Sequence, residues 1–172
     1  MASDTTGSAA SAGGQSGTTW GPRTLVLVLL GFWSVWWSLV FATNFFDALR
    51  VLDVLGADFS FASGNYGFLV SVMEVHDTPE IVVKAVFAGG ILWEFAVAVL
   101  TWAAFAAFAR GAGTTRVVYR AFVPAVAFFG AFLAMTEFFL AYDLANTHVR
   151  LFIASLVSLA VVVWLVESRG EH

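Results

Sequence analysis

The sequence predicts an all-α protein: a transmembrane four-helix bundle with a helical extracytoplasmic cap between spans one and two. Three observations carry that prediction. Of the 172 residues, 60% are hydrophobic and only 12% charged, and the mean hydropathy is +0.86, whereas charged residues approach a quarter of a soluble domain. Four apolar runs are each long enough, at ~1.5 Å per helical residue, to cross ~30 Å of hydrocarbon. Between the first two of them lies Asp47 to Pro79, too apolar for a solvated linker.

Met1 to Thr19 is a Ser/Thr/Gly/Ala tract without periodicity or a basic start, so residues 1–22 are expected to be a disordered tail and not a secretory signal. Trp20, Pro22 and Arg23 mark a membrane interface. The bundle is expected over residues 23–167, with residues 168–172 as a solvated tail. Span one is placed at about 24–46. It carries Trp33, Trp36 and Trp37, which read as packing bulk or as ligand-stacking surface, and Ser34 and Ser38, which share a helix face and can bond to a neighbouring helix.

After Asp47, the spacing of Leu49, Leu52 and Leu55 predicts a short interfacial helix ending at Gly56, and FLVSVMEV predicts a second short helix packed on the bundle mouth. Asp47, Asp53, Asp58, Glu74, Asp77 and Glu80 outnumber Arg50 and Lys84 here, making the cap acidic. Span two, about 81–108, opens on Asp77-Thr78-Pro79-Glu80 as an N-cap signal and carries Gly89 and Gly90, where another helix is expected to approach closely. The short connection from Arg110 to Arg116 makes spans two and three antiparallel neighbours. Span three, about 117–142, contains Pro124 and Glu137, and span four, about 149–166, contains Ser155 and Ser158.

Arg23, Arg110, Arg116, Arg120 and Arg169 fall at one end of the bundle; Arg50, Lys84 and Arg150 fall at the other. That bias predicts a multi-pass protein of the cell membrane with both termini cytoplasmic. Acidic residues exceed basic ones by 12 to 8 and there is no cysteine. Nucleic acid is therefore not an expected partner, and thiolate metal sites, disulfides and thiol nucleophiles are excluded. Membrane lipid is the expected partner, with other membrane subunits as further candidates.

The candidate polar site comprises Asn44, Asp47, Glu94, Glu137, Asp143 and His148. Glu94 lies ~16 Å down span two, near the bilayer midplane, so it has to be neutral, paired or turned towards a polar cavity. The hydroxyls of Ser34, Ser38, Ser155 and Ser158 fall at similar depths and are its expected partners. Glu137 lies about 10 Å higher, too far to form a dyad with Glu94. At the outer mouth Asn44, Asp47, Glu137, Asp143 and His148 gather with Arg50 and Arg150, and an ion-paired network is expected there. A metal reading is weak, because Asp143 and His148 are five residues apart and no Glu-x-x-His pattern occurs. His76 is expected to be a solvated loop histidine. No phosphate loop, nucleophile elbow or intramembrane histidine pair for haem is present.

Asn44 and Asp47 at the end of span one, Met73 to Pro79 followed by Lys84, Trp93-Glu94 in span two, and Thr136-Glu137-Phe138-Phe139 late in span three together resemble the family of predicted small integral membrane proteins of unknown function. The resemblance covers about 24–166. It implies four spans and points to Asn44, Asp47, Glu94 and Glu137, and it implies no chemistry and no cofactor. The expected function is a non-enzymatic accessory subunit or a binder of an apolar ligand or lipid. The alternative is a small ion- or proton-coupled transporter using Glu94, and a membrane redox or metal enzyme ranks third.

Overall fold

The structure, a computed structural model, describes residues 21–168; residues 1–20 of the expected N-terminal tail and all but the first residue of the C-terminal tail lie outside them, and Pro22, expected in the tail, is the first residue of a helix. Five α-helices follow in order: α1 (Pro22–Val51), α2 (Asn65–Met73), α3 (Glu80–Ala109), α4 (Thr115–Phe138) and α5 (Ala145–Glu167). Single 3₁₀ turns, Glu74–His76 and Tyr142–Leu144, follow α2 and precede α5. Helices α1, α3, α4 and α5 are long and apolar enough to cross a membrane. The protein is an all-helical, multi-pass membrane protein.

Helix ends differ from the sequence reading in three places. Leu49 does not start a separate interfacial helix: α1 continues through it to Val51, and the chain turns only where Asp53 takes a left-handed φ of 56°. Of the three spaced leucines only Leu49 is helical; Leu52 is the C-cap of α1 and Leu55 lies beyond it. Span three stops at Phe138, ahead of the expected 142, because Leu140 sits at a φ of 56° that an L-residue in a right-handed helix cannot adopt. Span four begins earlier, at Ala145. Helix α3 starts where expected, but Pro79 is its N-cap and no side chain caps it.

The four spans form a ring in which α1 packs on α3, α3 on α4, α4 on α5 and α5 on α1. Across the α1/α4 diagonal the gap is closed by rings: Trp33 meets Phe122 edge-on at 6.4 Å, Trp37 meets Phe128 at 5.2 Å, and Trp36 meets Phe129 at 6.1 Å. Lipid is as apolar as these side chains, so their packing and edge-to-face geometry hold the bundle, and burial from water contributes little. The indole N–H groups add cross-links between spans. Trp33 donates to Ser158 Oγ at 3.0 Å, Trp102 to Ser38 Oγ at 3.0 Å, and Trp93 to the carbonyl of Pro124 at 3.1 Å. At the end of the bundle near the N-terminus, Arg23 donates to the last carbonyls of α3, Phe108 at 3.3 Å and Ala109 at 2.9 Å, satisfying groups that the helix leaves open.

The segment between α1 and α3 folds onto the opposite end. Met73 of α2 is buried with Val83 of α3 and Phe139, and Tyr66, Leu69 and Val72 pack around them. His76 is exposed, as expected of a solvated loop histidine, and it also donates from Nε2 to the carbonyl of Phe138 at 2.9 Å and lies against the rings of Phe138 and Phe139. This contact ties the end of the cap to the end of α4.

Candidate functional site

Glu94 stands at the middle of α3 and is only 4% exposed. Side chains on a helix lean towards its N-terminus, so on antiparallel α1 and α3 Glu94 leans up towards the cap and Asn44 leans down from it. They meet: Asn44 Nδ2 donates to Glu94 Oε1 at 2.7 Å, and both residues are buried. Asn65, at the start of α2, donates from Nδ2 to Asn44 Oδ1 at 2.7 Å. A directed chain of two hydrogen bonds therefore runs from the cap to the bundle centre.

Asp47, one turn beyond Asn44, does a related job. Its Oδ2 accepts from the backbone N–H of Tyr66 at 2.8 Å and from Ser63 Oγ at 3.3 Å. Ser63 Oγ in turn accepts from the N–H of Asn65 at 3.1 Å. Two of the open N–H groups in the first turn of α2 are thus satisfied from outside the helix, one by an acidic side chain where the helix dipole favours it. Gly64 enters this turn at a φ of 74°, which glycine adopts without strain.

The serines expected around Glu94 are elsewhere occupied. Ser34 donates to Leu30 O, Ser38 to Ser34 O and Ser155 to Leu151 O, each one turn back in its own helix, and Ser158 accepts from Trp33. A hydroxyl in an apolar helix satisfies itself locally at almost no geometric cost, so it has no need of a distant carboxyl. Glu94 Oε2 consequently has no partner, although it is buried.

Glu94 lines a partly open cavity of about 210 Å³ walled by all four spans and roofed by Phe68, Leu69 and Val72 of α2. Trp36, Phe128, Phe129 and Phe132 give it aromatic sides, and Glu94, Asn44, Asn65, Thr136, Thr147 and His148 contribute polar atoms. His148 stacks on Phe132 with ring centres 4.9 Å apart, and its Nδ1 is buried without a partner. Gly89 and Gly90 admit no close helix, contrary to expectation. A side chain at either would meet nothing within 4 Å, and Gly90 lies on the cavity wall.

Of the six residues expected at the polar site, the structure brings together Asn44, Glu94 and His148 around the cavity, and Asp47 holds its roof. Glu137 and Asp143 do not join them: both are exposed. The ionic mouth is absent too. Among the described residues the ion pair present is Lys84 with Glu80, exposed and one turn apart on α3, while Arg50 and Arg150 form none. No group of three or more metal-ligating side chains occurs among the described residues. The sequence reading missed Asn65 as the outer link of the hydrogen-bond chain, and the phenylalanines of α4 as cavity wall. Their seven-residue steps, Phe122, Phe129 and then Thr136, would have marked the inward stripe.

No family model, no curated protein and no solved structure matches this chain.

Proposed function

We propose that this protein is a non-enzymatic binder of an apolar molecule with a hydrogen-bonding head, held between the four spans beneath the cap. The observation that carries the reading is Glu94, a lining residue of the aromatic cavity whose buried Oε2 has no partner. A buried polar atom without a partner costs about 1–3 kcal/mol, a cost that a bound head group removes. Its neighbour Oε1 is already satisfied by Asn44, so the carboxyl is fixed in place with one oxygen free, a prepositioned anchor in an otherwise apolar chamber. The distribution of Arg23, Arg110, Arg116 and Arg120 supports an orientation in the cell membrane with both termini cytoplasmic, and the cap and the cavity beneath it then lie on the outer side. The resemblance to small four-span membrane proteins supports the same architecture, and Asn44, Asp47 and Glu94 are among the residues that carry it.

The test is purification in nanodiscs from native membrane, followed by mass spectrometry of bound small molecules, for the wild type and for Gly90→Leu. A Cβ at position 90 meets nothing within 4 Å, and the leucine side chain projects into the chamber from its wall. Wild type should carry a bound apolar compound that the variant loses while its helix content is unchanged. Identical extracts from both proteins would sink the reading.

A further inference from the structure

We propose that the head group taken by this cavity is a lipophilic ammonium, which pairs with Glu94 and displaces its proton; the inference rests on the cavity being a ligand site. The first ground is charge. Helices α1, α2 and α4 present no titratable group to the cavity, α3 presents Glu94, and α5 presents His148. No Lys or Arg lies on the wall to neutralise the carboxyl, so a cation has no resident competitor other than a proton. The second ground is hydrogen bonding. Asn44 gives one amide N–H to Oε1, and its carbonyl accepts from Asn65. What remains at Glu94 is Oε2, which becomes a free acceptor once its proton leaves, and His148 Nδ1 on α5 is a second buried atom without a partner. A primary ammonium brings three donors and no acceptor. The third ground is the wall itself, where Trp36, Phe128, Phe129 and Phe132 carry the negative ring faces that attract a desolvated cation.

Binding is an exchange at one oxygen: the protonated carboxyl and an alkylammonium give a carboxylate–ammonium pair, and one proton leaves to water. Proton and ammonium compete for Oε2, so affinity rises with pH while the amine stays charged. The apolar chain of the ligand lies against the rings, which is why a lipophilic amine fits and a hydrated inorganic cation does not.

The experiment is calorimetry in nanodiscs of zwitterionic lipid, with empty discs subtracted, using octylammonium with octanol and octanoate as matched uncharged and anionic probes. Octylammonium is expected to bind at least roughly tenfold tighter than either control, to bind more tightly at higher pH, and to release one proton, read by repeating the titration in buffers of different ionisation enthalpy. Glu94→Gln should keep octanol binding but lose both the preference for the ammonium and the proton release. Should that variant fail to fold, Glu94→Asp, which retains the charge on a shorter stem, should preserve proton release with weakened affinity. Octanol binding as well as octylammonium without proton release overturns the ammonium assignment and leaves the apolar cavity standing. If none of the three probes binds, the proposed function falls with it.

Discussion

Asn44 makes both of the side-chain bonds that connect the cap to Glu94, each 2.7 Å long, so replacing it by leucine removes two bonds with one change of nearly constant volume. Interhelical hydrogen bonds in bilayers are worth ~0.6 kcal/mol on average and ~1.7 at most, and the Asn44–Glu94 bond, short and buried at both ends, belongs at the upper end. Asn44→Leu also leaves Glu94 with neither oxygen satisfied, which adds about 1–3 kcal/mol. The expected loss for Asn44→Leu is therefore about 2–4 kcal/mol. Glu94→Leu breaks one bond, and Asn44 keeps its other partner, so this change should cost less, about 1–2 kcal/mol. The double variant should fall short of the sum by about 1–2 kcal/mol, because the shared bond is lost only once. Reversible unfolding in bicelles, followed by tryptophan fluorescence, measures all three. A coupling within about 0.3 kcal/mol of zero, or Glu94→Leu proving the costlier single change, would refute the assignment of Asn44 as the carboxyl's partner.

Glu94→Gln keeps an oxygen for Asn44 to bond and should cost under about 1 kcal/mol in the same unfolding assay; a loss as large as that of Asn44→Leu would contradict this. Asp47→Ala removes the acceptor for the Tyr66 N–H and should destabilise the cap by about 1–2 kcal/mol, seen as faster amide exchange across 64–76 with the four spans still protected. Uniformly faster exchange along α1 as well would show that Asp47 supports the bundle and not the cap alone. Trp33→Phe removes the bond to Ser158 and leaves a void between α1 and α5, for an expected cost of about 1–3 kcal/mol. Adding Ser158→Ala should then cost almost nothing more, and full additivity would mean that the bond contributes nothing.

The spans were legible because a bilayer sets a length and a polarity that few sequences meet by accident. Glu94 was legible for the same reason: a carboxyl in such a run stands out whatever surrounds it. Its partner was not, since depth alone placed four serines beside it and could not say that three would bond their own helix one turn back and that Ser158 would accept from Trp33. Asn44 differs from serine in having an amide too long and too donor-rich to be satisfied locally, and that chemistry, available in the sequence, argues for a cross-helix bond. Glu137 was misplaced for want of a face. The inward stripe of α4 reaches Thr136, and the next position turns about 100° away from it. The cap's attachment depended on α1 running on to Val51, which carries Asp47 high enough to meet the start of α2; no local pattern separates that continuation from a new short helix.

Helices α1 and α3 have 30 residues each, whereas α4 and α5 have 24 and 23, so one pair is ~45 Å long and the other ~35 Å. Arg23 clips α1 to the end of α3 on the N-terminal side, and the excess therefore collects at the other end, where the cap rests against the taller pair. The rim of the molecule is a step of about 10 Å. A surrounding bilayer matches the short side or the tall side but not both, and each ångström of mismatch costs a fraction of a kcal/mol. Phe61, Phe68 and Val70 lie exposed on the cap at that end of the bundle. Acyl-chain length is thereby a variable to which the fit of the fold in its bilayer responds, a consequence of six or seven extra residues in two of four helices.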